Sequence, residues 1–232
     1  MNLVFEPTPR VTVPVAGSDA AFPVRRIYCV GRNYAAHARE MGFDPDRAPP
    51  FFFCKPDNSL VIVPPGQTVD VAYPPQTSDY HHEIELVVAI GKAGHDIPVE
   101  SAMEHVWGYA VGLDMTRRDL QLKLRDKGRP WELGKAFDQS APIGHLVPAA
   151  AAGDIDHAAI WLQVDGKDRQ RSGITHLIWS LPEVIAHLSM YFTLEPGDLI
   201  YTGTPEGVGA VTRGQVLHGG VDGLGEIRVR IV

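Results

Sequence analysis

His81-His82-Glu83-Ile84-Glu85-Leu86-Val87-Val88-Ala89-Ile90-Gly91 is the stretch on which the fold turns. From Glu83 to Ile90 the residues are mostly β-branched or apolar, and Gly91 ends the run, so a strand is predicted there. Side chains two apart share one face of a strand, so Glu83 and Glu85 point together, with His81 in line to join them. The opposite face carries His82, Ile84 and Leu86 and grows apolar toward a core. Two carboxylates held this close repel unless a cation or a proton sits between them. The plainer alternative is a solvent-facing polar stripe.

A second predicted strand, Val106 to Leu113, delivers another acid, Asp114, to its end. Three carboxylates make an all-oxygen, anionic set suited to Mg²⁺ or Mn²⁺, with Ca²⁺ as a third option. Zinc more often recruits His and Cys, and His81 keeps it open. Further strands are expected at Ile27–Val30, Phe51–Cys54 (read as buried), Ala159–Val164, Leu199–Thr202, Gln215–His218 and Glu226–Ile231, with a hairpin turn at Asp165-Gly166. Helices are expected from Tyr34 to about Met41, capped by Asn33, from Arg117 to Lys127, and from Pro182 to Leu188. This is not a βαβ alternation; it reads as a sheet-dominated α+β fold.

The 232 residues carry 21 Lys and Arg against 28 Asp and Glu, a net charge of −7, with 44% hydrophobic residues. That balance is globular and excludes intrinsic disorder. It argues against non-specific nucleic-acid binding, which needs clustered cations. No apolar run approaches the roughly 18 residues of a membrane span, and Met1–Arg10 lacks a signal pattern, so a soluble, cytoplasmic protein is expected. Cys29 and Cys54 are too few for a disulfide framework. With 23 Gly and 19 Pro, turns are many and elements short. Residues 1–25 read as an N-terminal arm laid over the main body, 26–232, whose size allows one large domain or two small ones.

Other residues suggest chemistry more weakly. His37 and Glu40 are helix neighbours at i and i+3, where a carboxylate orients an imidazole as a base for water; a surface ion pair is the ordinary alternative. Arg117, Arg118 and Lys135 supply local cations that an acidic protein needs for an anionic substrate. Thr202-Gly203-Thr204-Pro205-Glu206-Gly207-Val208-Gly209 lacks the Lys-Ser/Thr of a phosphate loop; its N–H groups and Thr hydroxyls suit a carboxylate, and an ordinary turn is the plainer alternative.

Taken in order, Gly31-Arg32-Asn33-Tyr34-x-x-His37-x-x-Glu40, His82-Glu83-x-Glu85-Leu86, Gly112-Leu113-Asp114-Met115-Thr116-x-Arg118-Asp119-x-Gln121 and Thr202-Gly203-Thr204-Pro205 resemble the fumarylacetoacetate hydrolase superfamily. Within it, the chain is most similar to the short, single-domain acylpyruvate hydrolases. The resemblance implies a mixed β-sandwich or roll, a homodimer, and Mg²⁺ or Mn²⁺ on Glu83, Glu85 and Asp114. It further implies a water-activating dyad of His37 and Glu40, and Arg118, Gln121, Lys135 and Thr204 as groups that contact substrate or steady developing charge. Glu40 to Pro50 corresponds to a segment that closes as a lid. The expected activity is C–C hydrolysis of an acylpyruvate, foremost fumarylpyruvate, to an acid and pyruvate. Oxaloacetate decarboxylation, or another lyase or isomerase reaction of a 2-oxo acid, is the alternative at the same site. A non-catalytic protein that binds metal or an organic acid is the alternative outside the enzyme class.

Overall fold

The strand Ile84–Ile90 is buried along its whole length and lies inside an eight-stranded mixed sheet. Its antiparallel neighbours are Val106–Leu113 and Asp198–Tyr201. Beyond Asp198–Tyr201 come Arg26–Gly31, paired in parallel, and then Phe51–Lys55; beyond Val106–Leu113 come Ala141–Ile143 and Leu60–Ile62. A five-stranded sheet runs Lys167–Gly173, Ala159–Val164, Val216–Val221, Gly225–Ile231, Val69–Val71. The computed structural model describes residues 2–40 and 48–232. The expected lid, Glu40 to Pro50, falls largely on 41–47, outside the described residues.

Both faces of the central strand are covered, which is why its sequence is apolar without interruption from Leu86 to Ile90. Leu86, Val88 and Ile90 pack into the larger core with Ile160, Leu162, Leu217 and Ile227 of the second sheet. Val87 and Ala89 face a second core made with Cys29, Leu199 and Tyr201. That core is closed by Val13 and Phe22, from a hairpin of Thr12–Pro14 and Ala21–Pro23. The N-terminal stretch is thus held by apolar burial, at about 25 cal/mol for each Å² removed from water. Among the described residues the longest α-helix, Leu181–Ser189, has nine residues, and no helix is long and apolar enough to cross a membrane. The architecture is sheet-dominated α+β.

Three local expectations are corrected. The first strand breaks at Glu83, which lies between Tyr80–His82 and Ile84–Ile90. Phe51–Lys55 is only half-buried, with Cys54 exposed and free and Lys55 the residue that turns inward. Asn33 does not cap the helix Ala35–Glu40. Its side chain donates to the Trp179 and Thr202 carbonyls at 3.0 and 2.9 Å and accepts from the Trp179 amide at 2.8 Å, tying two loops together. An amide at 0% exposure takes the partners that burial leaves it.

Candidate active site

The ladder register assembles the carboxylates. Ile84 opposes Leu113 and Glu85 opposes Gly112, so the next step outward sets Asp114 beside Glu83. The Asp114 amide donates to the Glu83 carbonyl at 2.9 Å. Glu83, Glu85 and Asp114 are all buried, and each offers an oxygen within 4.8 Å of the others. Among the described residues they are the one such cluster of three.

Cations answer these acids. Lys135 Nζ donates to Glu83 Oε2 at 2.8 Å and to Asp114 Oδ2 at 2.6 Å. Arg118 donates to Glu83 Oε1 and, at 2.8 Å, to Gln121 Oε1. Lys55 Nζ lies 2.8 Å from Asp114 Oδ1 and donates to the Lys135 and Met115 carbonyls. Burial pushes Lys135 toward neutrality, but Asp114 and Glu83 outweigh it and raise its pKa, so the ammonium keeps its proton. Glu83 is likewise opposed by burial yet held below the usual carboxylate range by Lys135 and then Arg118.

Glu85 is the exception. Its one hydrogen bond is from the Gly203 amide at 2.8 Å. Burial, then the charges of Asp114 and Glu83, push its pKa well up. Asp114 Oδ1 is fully enclosed and accepts no hydrogen bond, although the Lys55 ammonium lies 2.8 Å away. A buried carboxylate that makes no ion pair of its own among the described residues, with two more carboxylates within 4.8 Å, fits a hard divalent cation.

His37 and Glu40 sit on the short helix Ala35–Glu40, with His37 Nδ1 3.3 Å from Glu40 Oε2. The carboxylate can only accept, so Nδ1 carries the hydrogen, and in the neutral imidazole the lone pair is then on Nε2. Gly207 N donates to both Glu40 oxygens at 3.1 and 3.2 Å, anchoring the dyad to the Thr202–Gly209 loop. Gly203 in that loop has φ +102, and a Cβ there would meet the Asn33 Cβ at 2.7 Å. Only glycine allows this approach of the loop to the start of the helix.

His37 and the three acids line one cleft with Arg118, Gln121, Lys135 and Thr204, about 460 Å³ of space partly open to solvent. The sequence-predicted set therefore comes together in one place. His81 does not join it: its Nδ1 accepts from Arg118 Nε at 3.4 Å and its Nε2 donates to Asp79 at 2.8 Å, so it braces Arg118. Arg117 lies over the Phe137 ring, 4.3 Å from its centroid. Thr204 Oγ1 donates to the Ile84 carbonyl and accepts from Gln170, both at 2.8 Å. Its hydroxyl proton is therefore engaged, and the residue's remaining donor toward an anion is its backbone N–H.

Two supporting residues escape a reading of the sequence. A lysine within Phe51-Phe52-Phe53-Cys54-Lys55 is a detectable oddity in an apolar strand, and Lys55 proves buried. Gln170 sits in the polar run Lys167-Asp168-Arg169-Gln170-Arg171, where no local signal separates it. Yet it is 1% exposed and also bonds His82, the Ile84 amide and the Pro205 carbonyl.

Comparison with known proteins adds the following. Residues 26–232 match the family model described as fumarylacetoacetate hydrolase C-terminal. A fumarylpyruvate hydrolase of Pseudomonas aeruginosa, solved in complex with Mn²⁺ and pyruvate, superposes with a TM-score of 0.98 at 66% identity, covering 100% of this chain and 99% of that one. A fumarylpyruvate hydrolase of a Ralstonia species is 50% identical over 78% of this chain and 92% of its own length. A mitochondrial oxaloacetate decarboxylase of Dictyostelium discoideum is 43% identical over 86% of this chain and 90% of its own.

Proposed function

This chain belongs to the fumarylacetoacetate hydrolase family, and on that premise we propose that it is a divalent-metal-dependent hydrolase of acylpyruvates, converting 3-fumarylpyruvate to fumarate and pyruvate. The observation that carries this is one cleft in which three buried carboxylates face a histidine whose Nδ1 is already claimed by Glu40. Glu83, Glu85 and Asp114 hold Mg²⁺ or Mn²⁺. The cation, when bound, would supply a Lewis acid and a counter-charge to the pyruvate half of the substrate.

The protein's own groups do the rest. His37 Nε2 takes a proton from water, and the resulting hydroxide adds to the carbonyl that joins the acyl group to pyruvate C3. Glu40 steadies the imidazolium through Nδ1. Lys135 and the Gln121 amide, whose oxygen is already turned to Arg118, donate to the oxyanion. The C–C bond breaks, its electron pair passes to the pyruvate half as an enolate, and a proton returned to C3 completes pyruvate. The acyl half leaves as a carboxylate. Arg118 and the Thr204 N–H hold the pyruvate carboxylate. A homodimer and a cytoplasmic location belong to the same reading, and light scattering tests the dimer.

The relatives that act on oxaloacetate favour a second reading at the same cluster, because that substrate also presents a 2-oxo acid. Decarboxylation yields the same enolate with no attacking water. Following fumarylpyruvate, acetylpyruvate and oxaloacetate by absorbance, with Mn²⁺ and then with chelator, separates the two. Fumarylpyruvate consumed fastest, with loss on chelation, is expected. An oxaloacetate rate that exceeds it and survives His37→Ala reassigns the chain to decarboxylation.

A further inference from the structure

We propose that Gln170 is a positioning residue of the cleft: its single carboxamide locks the strand break that presents Glu83 to the loop that carries Thr204 and anchors Glu40. This deepens the acylpyruvate reading and rests on it for the substrate, though not for the metal.

The first observation is a gap in the central sheet. On the side of Ile84–Ile90 that meets Asp198–Tyr201, the neighbouring strand ends at Tyr201. Thr202 then gives its amide and its hydroxyl to the Leu86 carbonyl, at 3.1 and 2.9 Å. The chain returns to this side only at Gly209, opposite His82. The Ile84 peptide falls between the two in a fully buried residue, where an N–H or C=O without a partner is costly. Side chains fill the gap. Gln170 Oε1 accepts from the Ile84 amide at 3.1 Å and from His82 Nδ1 at 3.0 Å, and Thr204 Oγ1 donates to the Ile84 carbonyl at 2.8 Å. Gln170 Nε2 gives its two hydrogens to Thr204 Oγ1 and to the Pro205 carbonyl, both at 2.8 Å. One end of the amide therefore grips the residues on either side of Glu83, and the other end grips the loop.

The second observation is how the backbone delivers Gln170 there. Lys167–Gly173 is an edge strand of the five-stranded sheet, and Gln170 is its one buried residue. The register against Ala159–Val164 slips: Leu162 faces Gln170 but Gln163 faces Asp168, so Arg169 is an extra residue. Such a bulge re-aims the side chains beside it. Asp168 turns outward to Gln163 at 2.8 Å, while Gln170 turns inward with Leu162, each 1% exposed. The bulge also meets the loop directly. Gly207 has φ +91, and a Cβ there would collide with the Arg169 carbonyl, so only glycine lets the loop rest on the bulge. Gly207 is the residue whose N–H holds Glu40. The edge strand thus places Glu83 and Thr204 through the Gln170 side chain, and Glu40 through the Arg169 backbone.

The test separates the two ends of the amide. Gln170→Leu removes all four hydrogen bonds. Gln170→Glu keeps the acceptor for Ile84 and His82 but offers the loop at most one hydrogen. Leu217→Ala, a core change in the same sheet, controls for lost stability. Each is titrated metal-free with Mn²⁺ by calorimetry and assayed on fumarylpyruvate at saturating Mn²⁺, with folding checked by circular dichroism. Gln170→Leu should weaken Mn²⁺ binding about ten- to hundredfold and lower kcat/KM about a hundredfold. Gln170→Glu should hold Mn²⁺ within about threefold of the wild type while KM rises about tenfold, the cost of a hydrogen bond lost at the loop. Leu217→Ala should leave both constants where they are in the wild type. Mn²⁺ affinity and KM unchanged in both Gln170 variants, or weakened as much by Leu217→Ala, overturns the proposal. Should Gln170→Leu not fold, Gln170→Glu decides, and loss of Mn²⁺ affinity in step with KM, or of neither, counts against it. A wild type that hydrolyses no acylpyruvate, with the predicted Mn²⁺ affinities in all three variants, upholds the role of Gln170 and overturns the hydrolase reading instead.

Discussion

The inner and outer ends of the cleft are built on opposite plans. Glu83, Glu85 and Asp114 stand on the ends of two strands with seven recorded register pairs, and Lys55, Lys135 and Arg118 close around them. The dyad end rests on a six-residue helix, and the Glu40 side chain is 38% exposed. The inner end is charge-dense and desolvated, so its interactions are strong and removing one leaves a stranded charge. Only Glu40 of that pair reaches solvent, while the His37 side chain is 7% exposed, so the pairing adds little to stability and is retained for what it does to water. Binding is placed on paired strands and proton transfer on a short helix.

That contrast predicts which substitutions injure activity and which injure the fold. His37→Ala should lower kcat for fumarylpyruvate by about 10²- to 10⁴-fold, the range for a lost general base, while Mn²⁺ affinity by calorimetry stays within a few-fold. Equal loss of both would erase the division between the two ends. Lys55→Ala acts the other way. It removes the partner of a carboxylate whose side chain is 1% exposed, so urea unfolding of the metal-free protein should show a loss of about 3–5 kcal/mol. Mn²⁺ at a hundred times its Kd should stabilise the wild type by about 2.7 kcal/mol, read as a rise in Tm that chelator reverses. Smallest is Glu40→Gln, where loss of a part-exposed ion pair should cost less than about 1 kcal/mol in unfolding. Its kcat should nonetheless fall, because Nδ1 loses its carboxylate.

The inner end was largely legible from the residues. Strand periodicity alone puts Glu83 and Glu85 on one face, and an acid directly after the strand Val106–Leu113 is visible in the chain. The break at Glu83 was not, because no local pattern distinguishes a strand from two strands whose acid turns between them. The register that brings Asp114 opposite Glu83 belongs to the pairing of two separate strands, Ile84–Ile90 and Val106–Leu113. Residues that work through burial at a distance were missed or misread for the same reason. Gln170 is a polar residue in a polar run until the Thr204 loop covers it, and Asn33 resembles a helix cap until Trp179 arrives. The roles of His37, Lys135 and Thr204 came from resemblance, since a His–Glu pair at i and i+3 is by itself an ordinary surface feature. The structure then altered one of them, by engaging the Thr204 hydroxyl with Ile84.

The central claim is that these three carboxylates hold the cation beside His37. Anomalous diffraction from crystals of the wild type grown with Mn²⁺ tests it most directly. One strong peak coordinated by oxygens of Glu83, Glu85 and Asp114, absent from Asp114→Asn crystals, is the predicted result. A peak elsewhere in the molecule, or none at the cluster at saturating Mn²⁺, contradicts the account.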